Sequence, residues 1–284
     1  MSAVSGISDV HPSRARNLII LGEQFEWSIL LVSLVTSACV GFLRGNGLSQ
    51  FIQFLTTAIA LFWLRIPLGV LLGSSTMRAH IAEERKIVWQ ATFIILLFVA
   101  LPVYLLFRNG RNYGLLSIGA IAGTAFATQA CVKLFGRKMR MPAQMIGAIG
   151  LTSTAAGAYY VVSGRLDSLA FALWAVNFCF ACDQIHYVQL RLRNPMVAGH
   201  RNRFSRGWAF LVRVILMVVA VASLSLGSYL PLFAAIAFIP IVARGVVWVF
   251  QKPETLDVQW LGLTEMLYAI TFGVLLIASF YVPR

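Results

Sequence analysis

Long apolar runs joined by short polar connections dominate this sequence and constrain its fold more than any other feature. An α-helix needs about 20 apolar residues to cross the roughly 30 Å hydrocarbon core of a bilayer, and the runs have about that length. We therefore predict an all-α, polytopic membrane bundle of nine transmembrane helices. The predicted helices cover residues 29–43 (with a start that extends towards residue 18), 51–73, 87–107, 113–132, 144–162, 169–190, 208–226, 229–250 and 260–282.

The composition supports a membrane protein, because 59% of the residues are hydrophobic and only 12% are charged. A soluble domain is about half apolar and about a quarter charged. We divide the chain into a cytoplasmic N-terminal tail, residues 1–17, and a single transmembrane helical domain, residues 18–284. The first helix is expected to act as an uncleaved signal anchor, since no basic start, short apolar core and small-residue cleavage site are found.

Basic residues are distributed unevenly between the two sides of the predicted bundle. The N-terminus and the connections after the even-numbered helices carry fifteen Lys and Arg residues, whereas the opposite side carries five. Because positive charge stays in the cytoplasm, the N-terminus is expected inside and the C-terminus outside. The formal net charge of +13 then reflects topology. We expect membrane lipids and not nucleic acid as partners, since no soluble domain remains to bind nucleic acid.

The sixth predicted helix is unusual because polar side chains interrupt its apolar sequence, ALWAVNFCFACDQIHYVQLRLR. At about 100° per residue these side chains form two stripes. One stripe holds Cys179, Cys182, Asp183, His186 and Arg193, and the other holds Asn177, Gln184 and Arg191. Since polar groups are costly at this depth, we expect the helix to lie inside the bundle.

The first stripe has two chemical interpretations. Thiolate and imidazole are soft-metal ligands, but ligands at i, i+3 and i+7 on one helix do not surround an ion, so we predict no metal site. In the second interpretation, Asp183 and His186 are either a structural hydrogen-bonded pair or a functional site that relays protons or holds a ligand. We expect the four cysteines to be small packing residues, namely Cys39, Cys131, Cys179 and Cys182.

Further charged residues lie within the predicted spans. Arg65 is deeper than a snorkelling residue, so we expect it to have a buried acidic partner or to clamp an anionic ligand. Arg213 and Arg244 lie nearer the ends of their helices and are expected to snorkel towards water. The sequence leaves open which acid each arginine meets, and the acids available are Glu23, Glu26, Asp183 and Glu265.

Three short motifs resemble YwiC-like bacterial membrane proteins. The opening GEQFEW, residues 22–27, is similar to the EHGAW-type start of that family, with Glu23 and Trp27 as the matching residues. The sixth helix resembles a family helix that ends in an aromatic residue, valine and arginines. LTEMLYAITFG, residues 263–273, resembles an LxExxxxxxFG-like ending. The resemblance implies a location in the bacterial cytoplasmic membrane.

The helix count and layout also resemble the nine-helix bundle of UbiA-type prenyltransferases. Those enzymes hold a diphosphate through Mg²⁺ bound to two Asp-rich motifs, in the connections after helices two and six. This sequence has Glu83 and Glu84 after helix two, and Asp183 alone in the sixth region. Magnesium needs several hard oxygen ligands, so the resemblance implies a prenyltransferase-type activity whose metal-binding motifs are missing. We assign no catalytic residue, metal or cofactor.

We predict an integral membrane protein that binds an amphipathic or isoprenoid-type, lipid-soluble molecule in an intramembrane polar cavity. In this hypothesis arginines meet an anionic headgroup and the other polar groups position it. One alternative is a small-solute or proton-coupled transporter, in which Asp183, His186 and Glu265 titrate. Another is a non-catalytic scaffold. The candidate ligand-binding residues are Arg65, Asn177, Asp183, His186, Arg191, Arg193 and Glu265.

Overall fold

The computed structural model describes residues 10–71, 82–108, 112–136, 139–193, 200–250 and 258–282. Within these ranges the regular structure is entirely helical, as the sequence predicts. The described helices are α1 Val10–Phe42, α2 Leu48–Leu71, α3 Ala82–Arg108, α4 Asn112–Leu134, α5 Arg140–Ser163, α6 Ser168–Arg193, α7 His200–Leu226, a 3-10 helix Leu232–Phe238, α8 Ile239–Phe250 and α9 Val258–Ser279.

Several helices begin earlier than the apolar runs predict. α1 starts at Val10, so residues 10–17 of the predicted tail are helical, and α7 starts at His200. Polar segments outside the bilayer continue a helix readily, because Arg, Lys, Gln and Glu are good helix formers. Pro12 is compatible with this start, since proline is tolerated in the first turn of a helix. An apolar run therefore marks the membrane-crossing part of a longer helix.

Six of the described helices are long and apolar enough to cross a membrane, judged by length and composition. Three shorter apolar helices accompany them, at Glu26–Phe42, Phe210–Leu226 and Leu232–Trp248. The chain therefore has the structure of an integral membrane protein. The six long helices are Leu48–Leu71, Arg85–Arg108, Tyr113–Leu134, Arg140–Ser163, Ser168–Arg191 and Gln259–Ser279.

α5 and α6 form the centre of the bundle. In each of them 61% of the most apolar stretch is buried by protein, compared with 17% in α3. α1 packs along α5 and also contacts α6 and α9, while α2 lies between α3 and α5, and α4 packs on α5. α6 therefore lies inside the bundle, where its polar stripes predict it.

Small residues allow neighbouring helices to approach α5 closely. A Cβ atom on Gly157 would lie 2.3 Å from Cζ of Phe54 in α2, and one on Gly147 would lie 2.4 Å from Nε2 of Gln129 in α4. Membrane helices commonly associate through small residues, because lipid gives no hydrophobic drive and van der Waals contact must replace it. Small residues therefore make this face of α5 a close-packing surface.

Aromatic side chains join α6 to the C-terminal helices. Phe180 of α6 stacks on Phe272 of α9 with 4.2 Å between ring centroids, and Phe238 of the 3-10 helix meets Phe272 edge-on at 5.2 Å. All three rings are buried. Since lipid is as apolar as these rings, the contact stabilises the bundle through dispersion and ring geometry.

A 3-10 helix replaces the first part of the eighth predicted α-helix. It covers Leu232–Phe238, and it joins α8 where the N–H of Ile239 donates to the carbonyl of Ile236. Pro231 precedes the 3-10 helix, and Pro240 lies in the first turn of α8. Because proline has no N–H, neither residue can donate to an α-helical ladder. The eighth predicted span is therefore divided into a tight part and a regular part.

Candidate functional site

Three charged side chains from α6, α8 and α9 meet inside the bundle, and we call Asp183, Arg244 and Glu265 the Arg244 cluster. The guanidinium of Arg244 donates through Nη2 to Oδ2 of Asp183 and through Nη1 to Oε2 of Glu265. The relative exposure is 4% for the Arg244 side chain and 2% for each acid. One buried arginine therefore serves two carboxylates.

Two aromatic rings enclose the guanidinium of Arg244. Its Cζ atom lies 4.1 Å from the ring centre of Tyr187 and 5.0 Å from that of Tyr268. A cation over an aromatic face is attracted by the ring quadrupole, and the attraction increases when water is excluded. Rings and carboxylates together hold this positive charge within the bundle.

The helical repeat places these groups on matching faces of α6 and α9. Asp183 and Tyr187 are four residues apart, and Glu265 and Tyr268 are three apart. Both spacings bring side chains together on a helix surface. Gln184 connects the two helices, because its Nε2 donates to the backbone carbonyl oxygen of Glu265 at 3.0 Å.

Four buried polar atoms near this cluster have no hydrogen-bond partner among the described residues. The acceptors are Oε1 of Glu265 and Oε1 of Gln184, and the donors are Nε of Arg244 and Nε of Arg191. A buried polar atom without a partner costs about 1–3 kcal/mol. The region therefore has unused capacity both to accept and to donate hydrogen bonds.

Arg191 adds a second positive charge to the region. It lies four residues beyond Tyr187 and seven beyond Gln184 on α6, spacings that place the three side chains on one side of the helix. Its side chain is half-buried, unlike that of Arg244. Arg191 therefore adds a cation near the end of α6, on the side of the helix that carries Tyr187.

The expected position of Arg244 was wrong. We expected its side chain to snorkel towards water, but it is buried between two acids. The expectation rested on the position of Arg244 near the end of its helix, whereas its partners come from α6 and α9, which pack beside it in the bundle. Arg213, for which snorkelling was also expected, has an exposed side chain.

Arg65 belongs to a different ion pair. Its Nη2 donates to Oε2 of Glu26 in α1, and its guanidinium carbon lies 5.0 Å from the ring centre of Phe62. The relative exposure is 20% for Arg65 and 26% for Glu26, so the pair is only partly buried. Arg65 therefore has its own acidic partner, distinct from the two acids that Arg244 binds.

Asn177 and His186 contact other helices. Nδ2 of Asn177 donates to the carbonyl oxygen of Leu173 at 2.9 Å, and its Oδ1 lies 3.4 Å from the hydroxyl oxygen of Thr36 in α1. The ring of His186 stacks on Phe210 of α7 with 5.8 Å between centroids. These two side chains join α6 to α1 and α7.

The seven candidate residues are therefore distributed over several places. Asp183 and Glu265 are brought together by Arg244, and Arg191 lies two turns beyond Asp183 on α6, whereas Arg65, Asn177 and His186 have the separate contacts just described. α6 ends at Arg193, whose side chain lies outside the described part of the chain. The same holds for three acids named above, Glu23, Glu83 and Glu84.

A second arginine cluster, formed by Arg44, Tyr159 and Asp167, lies at the other end of α6, and we call it the Arg44 cluster. Nη1 of Arg44 lies 3.3 Å from the Tyr159 hydroxyl oxygen and 3.4 Å from Oδ2 of Asp167. The Tyr159 hydroxyl donates to the same carboxylate oxygen at 3.2 Å. The relative exposure is 46% for the Arg44 side chain and 34% for Asp167.

The Arg44 cluster is not among the sites predicted from the sequence. Its visible signal was Asp167 immediately before α6, since aspartate is a preferred helix N-cap. Oδ1 of Asp167 accepts from the N–H of Ala170 at 3.2 Å, three residues into the chain beyond it. The cluster therefore fixes the start of α6 while it connects α6 to the end of α5.

The thiols and acids of the described region are not grouped as metal ligands. The cysteines are free thiols. Within that region no group of three His, Cys, Asp or Glu side chains is placed to hold a metal ion.

No family model, curated protein or solved structure matches this chain.

Proposed function

We propose that this integral membrane protein binds the polar headgroup of an amphipathic molecule at the Arg244 cluster. The observation that carries the proposal is the buried arginine shared by two carboxylates, beside acceptor atoms that have no donor among the described residues. The apolar part of the molecule would lie among the membrane-facing helices. An isoprenoid-type chain is the example that the resemblance to UbiA-type bundles implies.

The charges of the cluster favour ligand binding over helix locking alone. Burying an ion costs several kcal/mol even after the protein relaxes, and a well-placed partner offsets this cost. Asp183 and Glu265 share one cation, so the cluster has an excess negative charge and Oε1 of Glu265 has no donor among the described residues. A structural ion pair needs only one acid, whereas a headgroup site benefits from a carboxylate oxygen that remains available.

Helix spacing supports the same location. α1 runs close to α5 along much of its length, whereas α8 approaches α9 at few positions and α6 at still fewer. The long side chain of Arg244 crosses both separations to reach its acids. The region between α6, α8 and α9 is therefore filled by long polar side chains, which can move aside more easily than closely packed backbones.

We also propose a family and a membrane topology for this chain. The motif resemblances support a YwiC-like protein of the bacterial cytoplasmic membrane, and the six long and three shorter apolar helices support nine spans with a UbiA-like layout. The charge bias of the connections supports an internal N-terminus and an external C-terminus. Metal-assisted prenyl transfer is not proposed, because the required pair of Asp-rich motifs is missing from the sequence.

Lipid co-purification tests the proposed binding. We expect the purified protein to retain an amphipathic molecule, detected by native mass spectrometry, and we expect Asp183→Asn to reduce the retained amount. Glu26→Gln is the matched control, since it removes the acid of an ion pair elsewhere in the bundle and should leave retention unchanged. Equal retention in the Asp183→Asn variant, in a sample that remains folded, would contradict the proposal.

A proton-coupled transporter is the second candidate function. The observation that favours it is the same shared arginine, because two acids beside one base can release and take up a proton without losing all their pairing. A flux assay in liposomes with a panel of small solutes separates the candidates. Solute movement that depends on a proton gradient supports transport, whereas a lipid-binding protein gives no flux.

A further inference from the structure

We infer that the headgroup bound at the Arg244 cluster is zwitterionic, with an ammonium group that bears N–H donors next to a phosphate. The inference rests on the proposed function, because it names the chemistry of the amphipathic molecule. It follows from the polar atoms that the protein leaves unused near the cluster and from the sign of charge beside each of them.

Two buried acceptor atoms without a donor among the described residues favour a bound cation that can donate hydrogen bonds. Oε1 of Glu265 and Oε1 of Gln184 are buried, and their residues are 2% and 0% exposed. The hydrogen bond from Gln184 Nε2 to the backbone carbonyl oxygen of Glu265 keeps these two residues in contact, so both acceptors belong to the interface between α6 and α9. A primary ammonium supplies several N–H donors, and hydrogen bonds between ionised groups are about twice as strong as neutral ones.

The unused donor nearer the end of α6 calls for an anion. Nε of Arg191 is buried and has no acceptor among the described residues, and Arg191 lies seven residues beyond Gln184, two turns further along the same side of α6. Guanidinium groups match the oxygen geometry of phosphate and bind it through paired hydrogen bonds. A phosphate at Arg191 would lie nearer the helix end, while its linked ammonium reaches towards Gln184 in the interior.

Charge balance selects a zwitterion over a simple ion. The unused acceptors belong to Glu265 and Gln184 and the unused donors to Arg191 and Arg244, so the region can pair with one positive and one negative group. A bound ammonium or phosphate alone would introduce a net charge into a buried region, which is costly. A headgroup with one charge of each sign adds no net charge and satisfies acceptors and donor at once.

Native mass spectrometry of the full chain with four lipids of identical acyl chains tests this inference. The probes are phosphatidylethanolamine, phosphatidylcholine, phosphatidic acid and phosphatidylglycerol. We expect phosphatidylethanolamine to be retained about tenfold more than phosphatidylcholine, whose quaternary ammonium has no N–H, because charged hydrogen bonds are lost. Competition by soluble O-phosphoethanolamine distinguishes a lipid headgroup from a water-soluble molecule of the same chemistry.

Two substitutions separate the halves of the headgroup site. Gln184→Met removes the amide acceptor and should lower the preference for phosphatidylethanolamine over phosphatidylcholine. Arg191→Gln should lower retention of every phosphate lipid. The control for the first is Gln53→Met, since Gln53 in α2 also has a buried acceptor without a partner among the described residues. The control for the second is Arg44→Gln at the exposed cluster.

The outcomes distinguish failure of this inference from failure of the proposed function. Equal retention of the two zwitterionic lipids, or stronger retention of either anionic lipid, overturns the zwitterion inference while lipid binding stands. No retention of any lipid above that of an Asp183→Asn variant removes the proposed function as well. If Gln184→Met does not fold, the four-lipid panel on the parent chain and Arg191→Gln still decide, because Arg191 is half-buried at a helix end.

Discussion

The Arg244 cluster and the Arg44 cluster combine an arginine with acidic and tyrosine side chains near opposite ends of α6, but in different surroundings. The Arg244 side chain is 4% exposed, whereas the Arg44 side chain is 46% exposed. Attraction between opposite charges increases as water is excluded, and so does the cost of leaving one charge without its partner. The same residue types therefore have very different energetic consequences at the two clusters.

The pair formed by Arg65 and Glu26 lies between these extremes. Its side chains are 20% and 26% exposed, and the ring of Phe62 covers part of the guanidinium. The three ion-paired sites therefore form a series from buried to exposed. Stability measurements along this series can show whether burial determines what an ion pair contributes in this bundle.

The largest effect is expected at the buried end of the series. Arg244→Met leaves two carboxylates inside the bundle without their cation, and we expect it to reduce the free energy of unfolding by about 3–5 kcal/mol or to prevent folding. The measurement is the thermal unfolding midpoint in detergent, together with the monodisperse fraction after size-exclusion chromatography.

A triple variant provides the control for this prediction. Arg244→Met combined with Asp183→Leu and Glu265→Met removes every charge of the cluster, and we expect stability within about 1 kcal/mol of the parent protein. If the triple variant is as unstable as the single one, the loss arises from packing. If neither is destabilised, the contrast between buried and exposed clusters is wrong.

An intermediate effect is expected for the partly buried pair. Glu26→Gln keeps a hydrogen-bond acceptor for Arg65 but removes the negative charge, so we expect a loss of about 1–2 kcal/mol in the same thermal assay. A loss as large as that of Arg244→Met would show that exposure does not order the series.

A smaller effect is expected for the exposed cluster, and it should depend on which residue is changed. Arg44→Ala removes an exposed ion pair and a long contact to the Tyr159 hydroxyl, which keeps its own bond to Asp167, so we expect a loss of less than about 1 kcal/mol. Asp167→Ala also removes the cap of α6, so we expect a loss of about 1–2 kcal/mol, most of which Asp167→Asn should restore because asparagine caps equally well. An equal loss for Asp167→Ala and Asp167→Asn would contradict the capping role.

The smallest effect is expected from salt. Raising the ionic strength to about 1 M shortens the screening length to about 3 Å, which weakens interactions between exposed charges. We therefore expect high salt to abolish the stability difference between the parent and Arg44→Ala, and to leave the deficit of Arg244→Met unchanged. The comparison uses thermal midpoints of both variants at low and high salt, and equal salt responses would contradict it.

The sequence predicted the features of this molecule that depend on polarity alone. Apolar runs of membrane-crossing length predicted an all-helical membrane protein, and polar stripes predicted that α6 lies inside the bundle. Both follow because lipid excludes polar groups from the outer surface of a bundle. The small-residue face of α5 was visible for a similar reason, since small residues mark close helix packing.

The sequence did not show which arginine pairs with which acid, or in which direction the Arg244 side chain points. Asp183 and Glu265 were recognised as acids inside spans, but their common partner Arg244 was assigned to the interface because it lies near a helix end. Which arginine meets which acid depends on helix packing between segments far apart in the chain, and residue types do not encode it singly. The Arg44 cluster was missed because its members lie in or near connections.

The 3-10 helix Leu232–Phe238 sets the azimuth of Arg244. A 3-10 helix turns about 120° per residue and an α-helix about 100°, so over its seven residues the two differ by about 140°. The larger rise per residue of the 3-10 helix, about 2.0 Å compared with about 1.5 Å, also carries α8 about 3–4 Å further along its axis. With an α-helical lead-in, the guanidinium would emerge on a different side of α8 and at a different depth. The 3-10 geometry of seven uncharged residues thus determines the direction in which Arg244 extends towards Asp183 and Glu265.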